Sequence, residues 1–152
     1  MGALPTVVLR ETYSPALEEL ADQSIWDDLP PGSAVWEPAA SHNDCDLSEQ
    51  REYRAMGLFV ADRREALRHY EAALVGGGWS VEPVELTLDG QVLRATKPGD
   101  HGRLVVSVTA SDRSKVFDIK NGELVPEGRP DGFDRDSDYL SVSGSPEPQC
   151  ET

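Results

Sequence analysis

The sequence predicts an α+β fold: an antiparallel sheet of four to five strands with one main helix packed on one face, plus a short N-terminal helix. Three observations carry that expectation. A helix with both of its ends written out occupies 62–78 and runs straight into a strand. Two dipeptides, Asp89-Gly90 and Asn121-Gly122, fall between β-type runs and mark tight hairpins. Helices that do not alternate strictly with strands argue against a parallel sheet.

The main helix begins at Asp62, whose carboxylate can accept hydrogen bonds from the free amides of the first turn while Glu65 reaches back, a capping box. Ala66, Leu67, Tyr70, Ala73 and Leu74 then recur at the spacing of one helix face. Gly76, Gly77 and Gly78 stop it, because glycine adopts the left-handed conformation at a helix end without strain. Nearer the start of the chain, Ser14-Pro15 opens a short helix with proline where a missing amide costs nothing. Leu17, Leu20, Ala21, Ser24 and Ile25 continue it to about Trp26–Asp28, and Leu29-Pro30-Pro31-Gly32-Ser33 breaks it as a hinge.

Val35 and Trp36 begin a strand that Pro38 and the polar run 41–48 interrupt as a loop. Glu52–Val60 is apolar on both faces, which suits an interior strand. Trp79, Val81, Val84, Leu86 and Leu88 form a strand broken at Pro83, which Asp89-Gly90 folds back on Gln91–Lys97. Arg103–Ala110 follows around Leu104, Val106 and Val108, then the short arms 116–120 and 123–125, then a last strand Tyr139–Ser143. The chain divides into an acidic segment 1–33, one domain 34–143 and a polar tail 144–152.

With 152 residues the chain can bury a full core without a cofactor, and none is expected. The net charge of −14 is uneven: the first fifty residues hold ten acids and one base. No basic stripe exists to displace phosphate counterions, so nucleic acid is excluded as a partner class and a protein partner is expected. No run approaches the ~18 apolar residues of a membrane helix. The run Ala3–Leu9 is too short for a secretory leader and no base precedes it. Location is therefore conditional: cytoplasmic if the chain is complete as it stands, extracellular or envelope if an upstream leader or anchor has been removed.

The combination of Leu29-Pro30-Pro31-Gly32-Ser33, the helix residues Glu65 to Leu74 with Tyr70, and the pair Gly78-Trp79 resembles small domains of unassigned function in bacterial lipoproteins and membrane-anchored proteins. The resemblance spans about residues 29 to 110. It implies an envelope setting.

Few residues suggest chemistry. Asp134, Asp136 and Asp138 repeat like the first ligands of a calcium loop, but the turn glycine would fall on Tyr139 and the closing carboxylate on Ser145, so a solvated acidic loop is expected. His42, Asp44 and Cys45 crowd one loop without a second ligand cluster. His69 lies on the helix and His101 in a turn, neither with an identifiable partner. Gly76–Gly78 follow a helix instead of opening one, which rules out a phosphate loop. No serine sits at a nucleophile elbow and no carboxylate pair stands out, so enzymatic activity is not expected.

Cys45 and Cys150 are the only cysteines. A bridge between them would close a loop worth up to ~4.7 kcal/mol in the entropic account; two free thiols are the alternative, decided by redox compartment. Trp26 and Trp36 flank the Pro30-Pro31 break. They either anchor a partner or dock the first helix on the sheet. The functional expectation is a non-enzymatic accessory or interaction domain of cell-envelope type, using its sheet face or loops. The alternative is a cytosolic acidic inhibitor, an immunity protein or antitoxin, that meets a basic protein.

Overall fold

The computed structural model describes residues 13–46, 50–87, 90–111, 117–120, 123–126 and 138–150. Helix α1, Pro15–Ala21, starts as the sequence predicts, with the Ser14 hydroxyl accepting from the Leu17 amide at 3.1 Å. It ends at Ala21, short of the expected Trp26, and a separate 3-10 turn covers Ser24–Trp26. Helix α2 is Arg63–Gly76. The Asp62 carboxylate caps the amides of Arg64 and Glu65, but Glu65 turns to Arg68 at 3.1 Å and does not close a capping box. The helix stops through the Trp79 amide bonding the Leu74 carbonyl and the Gly78 amide bonding the Val75 carbonyl, with Gly78 at φ +86. This Schellman arrangement needs a left-handed residue, and glycine supplies it.

The expected sheet of four to five strands under a single main helix is corrected by the structure. Seven strands form one antiparallel sheet: β1 (Ala34–Asn43), β2 (Glu52–Val60), β3 (Ser80–Val81), β4 (Glu85–Thr87), β5 (Gly90–Gly99), β6 (Gly102–Ser111) and β9 (Asp138–Glu147). Their order is β1-β2-β9-β6-β5-β3, with β4 also on β5. Two shorter strands, β7 (Phe117–Lys120) and β8 (Glu123–Pro126), pair separately as the Asn121-Gly122 signal predicts.

Two misreadings explain the strand count. Pro38 did not end β1, because β1 is the sheet edge, where a residue without an amide donor breaks no second ladder. Its pairing with β2 shifts register on either side of Glu37 instead. The break at Pro83 splits the next run into β3 and β4, which lie one after the other along β5.

Both helices cover the same side of the sheet. Leu17 and Leu20 of α1 and Ala66, Leu67, Tyr70 and Leu74 of α2 join Met56, Leu58, Val60, Val106, Leu140 and Val142 in one buried cluster. Helix α1, from the segment read as preceding the domain, thus contributes two fully buried leucines to the common core. Strand β9 runs four residues beyond Ser143 into the segment read as tail.

Candidate binding face

Alternation along the strands sends every second residue to the side that neither α1 nor α2 covers. In β9, Leu140, Val142, Gly144 and Pro146 are buried, whereas Tyr139, Ser141, Ser143 and Ser145 are half-buried. In β6 the same period separates buried Leu104, Val106 and Val108 from half-buried Val105, Ser107 and Thr109. Register pairs Ser107 with Ser143 and Thr109 with Ser141, so small hydroxyl side chains stand side by side across two strands.

An aromatic cluster stands at one end of this face. Phe59 lies between Leu58 and Val60 in sequence but points to the other side, where Trp36 (centroids 5.6 Å) and Tyr139 (5.7 Å) cover it. Trp36 and Tyr139 meet edge to face at 5.3 Å. Burial, reinforced by the nearby Glu37 carboxylate, pushes the Tyr139 hydroxyl up to about 12.

At the opposite end the floor sinks into a trough of about 350 Å³ lined by Tyr53, Ala55, Val105, Ser107, Ser143 and Ser145, with Arg51, Glu52 and Gln149 at its rim. The Tyr53 ring is held between the stacked His42 imidazole, 5.0 Å away, and the Arg51 guanidinium, 4.5 Å above the ring centre. Glu52 is buried and takes a hydrogen bond from the Ser14 hydroxyl at 2.8 Å, turning its carboxylate from the trough to the helix side. Its amide donates to the Gln149 side chain at 2.8 Å. Just beyond, Cys45 and Cys150 are joined in a disulfide with Cα atoms 5.5 Å apart, which ties the loop after β1 to the segment after β9.

The residues singled out in the sequence fare differently. Trp26 is 4% exposed and donates its indole N–H to the Leu20 carbonyl at 2.8 Å, which ties the 3-10 turn to the end of α1, while Arg54 of β2 lies 5.2 Å over its ring; it is core and no partner contact. Trp36 stays half-buried on the uncovered face. Asp138 uses its carboxylate on the Arg63 amide at 3.2 Å, at the start of α2, while Asp134 and Asp136 lie outside the described residues. Cys45 is bonded to Cys150, which removes its thiolate from any cluster with His42 and Asp44. Among the described residues no group of three or more His, Cys, Asp or Glu side chains could hold a metal ion. His69 does have a partner: its Nε2 lies 2.8 Å from the Asp28 carbonyl and 3.2 Å from the Asp28 carboxylate. No helix among the described residues is long and apolar enough to cross a membrane.

Sequence reasoning missed the hydroxyl floor and Tyr139. The signal was present as a period of two in Leu140-Ser141-Val142-Ser143-Gly144-Ser145, where one face reads apolar or small and the other reads serine. Compared with protein-family models, curated proteins and solved structures, the chain matches none.

Proposed function

We propose that this chain is a non-enzymatic binding domain of the cell-envelope type, which presents the uncovered face of its sheet to a ligand. The observation that carries the reading is the one-sided cover of the sheet: both helices pack against Leu58, Val106 and Leu140, and the alternate residues Trp36, Tyr139, Ser141 and Ser143 keep access to solvent. Half-buried Trp36 and Tyr139 leave part of their ring area accessible on that face above fully buried Phe59, and rigid amphipathic aromatics of this kind serve as contact residues in binding sites.

The disulfide supports the compartment. Bonds of this kind persist in oxidising surroundings and are reduced in a mesophilic cytosol, which weighs against the cytosolic inhibitor reading. The test is fractionation of the producing organism's cells with the native chain and with Ser143→Arg, whose long side chain fills the trough. The native chain is expected in the envelope fraction with both cysteines protected from thiol labelling, and the variant is expected to be released from it. Reduced, labelled cysteines in the cytosolic fraction would overturn the proposal.

A further inference from the structure

Resting on the open-face reading, we infer that the trough between Tyr53 and the Trp36 cluster binds an uncharged glycan. Three independent features of the face converge on that ligand class.

The first is hydrogen-bonding capacity without a partner. The hydroxyls of Ser107, Ser143 and Ser145 line the trough and make no hydrogen bond within the protein among the described residues. A serine hydroxyl donates and accepts, so a row of them matches a ligand whose own groups do both, as sugar hydroxyls do. The trough volume of about 350 Å³ falls at the lower end of small-ligand sites.

Charge supplies the second. In a chain of net charge −14, the uncovered positions of β2, β6 and β9 from Tyr139 to Ser145 and their register partners hold no carboxylate. Glu52, the one acid bordering the trough, turns to Ser14. Charge therefore disfavours a cationic ligand, while the guanidinium groups that border the floor, Arg51 over the Tyr53 ring and exposed Arg94 beside its register partner Ser107, add donors suited to sugar oxygens.

Thirdly, the hydroxyl row ends at an aromatic platform. From Ser145 to Tyr139 the strand covers about 20 Å, enough for a short chain of sugar rings to rest its hydroxyl edges on the serines and an apolar ring face on half-buried Trp36. An extended peptide would instead seek a sheet edge, where main-chain pairing supplies affinity. The β1 edge is blunted by Pro38 and its register shifts, and the other edge is divided between short β3 and β4.

The experiment is an NMR titration of the isotope-labelled, disulfide-intact chain with three uncharged tetrasaccharides (chitotetraose, cellotetraose and maltotetraose) and with an uncharged Thr-Gly octapeptide. Saturable shifts are expected for at least one tetrasaccharide at the amides of Ser107, Ser143 and Ser145 and at the Trp36 indole. Ser143→Val keeps a good strand former, removes the hydroxyl, and should weaken that binding about tenfold. Ser107→Val serves as the second variant should Ser143→Val lower the melting temperature. Absence of shifts with all three sugars overturns the glycan assignment, as does binding of the octapeptide alone. If Ser143→Arg still releases the chain from the envelope fraction in that case, the glycan assignment falls and the open-face reading stands.

Discussion

The ring of Tyr139 lies across Gly57, one diagonal step along β2 from its register partner Phe59, so that a β carbon at position 57 would collide with the tyrosine hydroxyl and ring. The absence of a side chain at Gly57 therefore sets where Tyr139 rests, and Tyr139 in turn covers Phe59 and props Trp36. The shape of the aromatic end of the open face depends on one hydrogen atom.

Gly57→Ala should lower stability by about 1–3 kcal/mol, the usual cost of an added methyl in a packed site. Urea unfolding measures it. Adding Tyr139→Ala to the same variant should recover part of the loss relative to the sum of the single changes, because the collision partner is gone. Equal stability of Gly57→Ala and the native chain would mean that the ring swings aside freely and that the platform is not fixed.

Trp26→Phe keeps the buried ring but removes the indole donor, so that the Leu20 carbonyl still accepts from the Gln23 amide at 3.2 Å. The expected loss is about 0.5–1.5 kcal/mol, that of one net hydrogen bond, with glycan titrations unaltered because Trp26 faces the helix side. Weaker ligand binding at unchanged stability would return Trp26 to the partner-contact role that the structure denies it.

Removing the disulfide should cost more. The bond spans 105 positions of sequence, a separation for which the chain-entropy account gives up to ~4.7 kcal/mol and native bridges commonly deliver about 2–5. Denaturation of the Cys45→Ser, Cys150→Ser double variant against the oxidised chain reads this directly. Because Gln149 adjoins Cys150 and holds the Glu52 amide, faster hydrogen exchange is expected at Glu52 in the reduced form.

Two tyrosines should resist ionisation. Burial first, and the Asp28 carboxylate second, raise Tyr70 well above the ordinary phenol range; burial and then Glu37 push Tyr139 up to about 12. Between the ordinary value of 10.0 and about 12 the unfolded chain has lost the Tyr139 proton and the folded chain keeps it. The folded state then binds more protons than the unfolded one, so stability is intact below that window and falls as pH rises through it. Tyrosinate absorbance during alkaline titration should show a late component that shrinks in Tyr139→Phe, and unfolding midpoints should drop over the same window.

The local elements of this protein were legible because near neighbours write them. Asp62 and the three glycines fix both ends of α2, Ser14-Pro15 fixes the start of α1, and the run from Glu52 to Val60, apolar on both faces, gives β2 with its observed bounds. The sequence also held the serine period of β9 in plain view, though nothing local says that its polar side would stay uncovered. Which face the helices cover, which edge carries Pro38, that Trp26 is core while Trp36 is not, and that Cys45 meets Cys150 were decided only in the folded chain. Each of these depends on residues tens of positions apart being brought into register by the burial of one shared apolar side. Neighbour-by-neighbour preferences do not contain that information, because turning a strand over exchanges its two faces without changing a single local propensity.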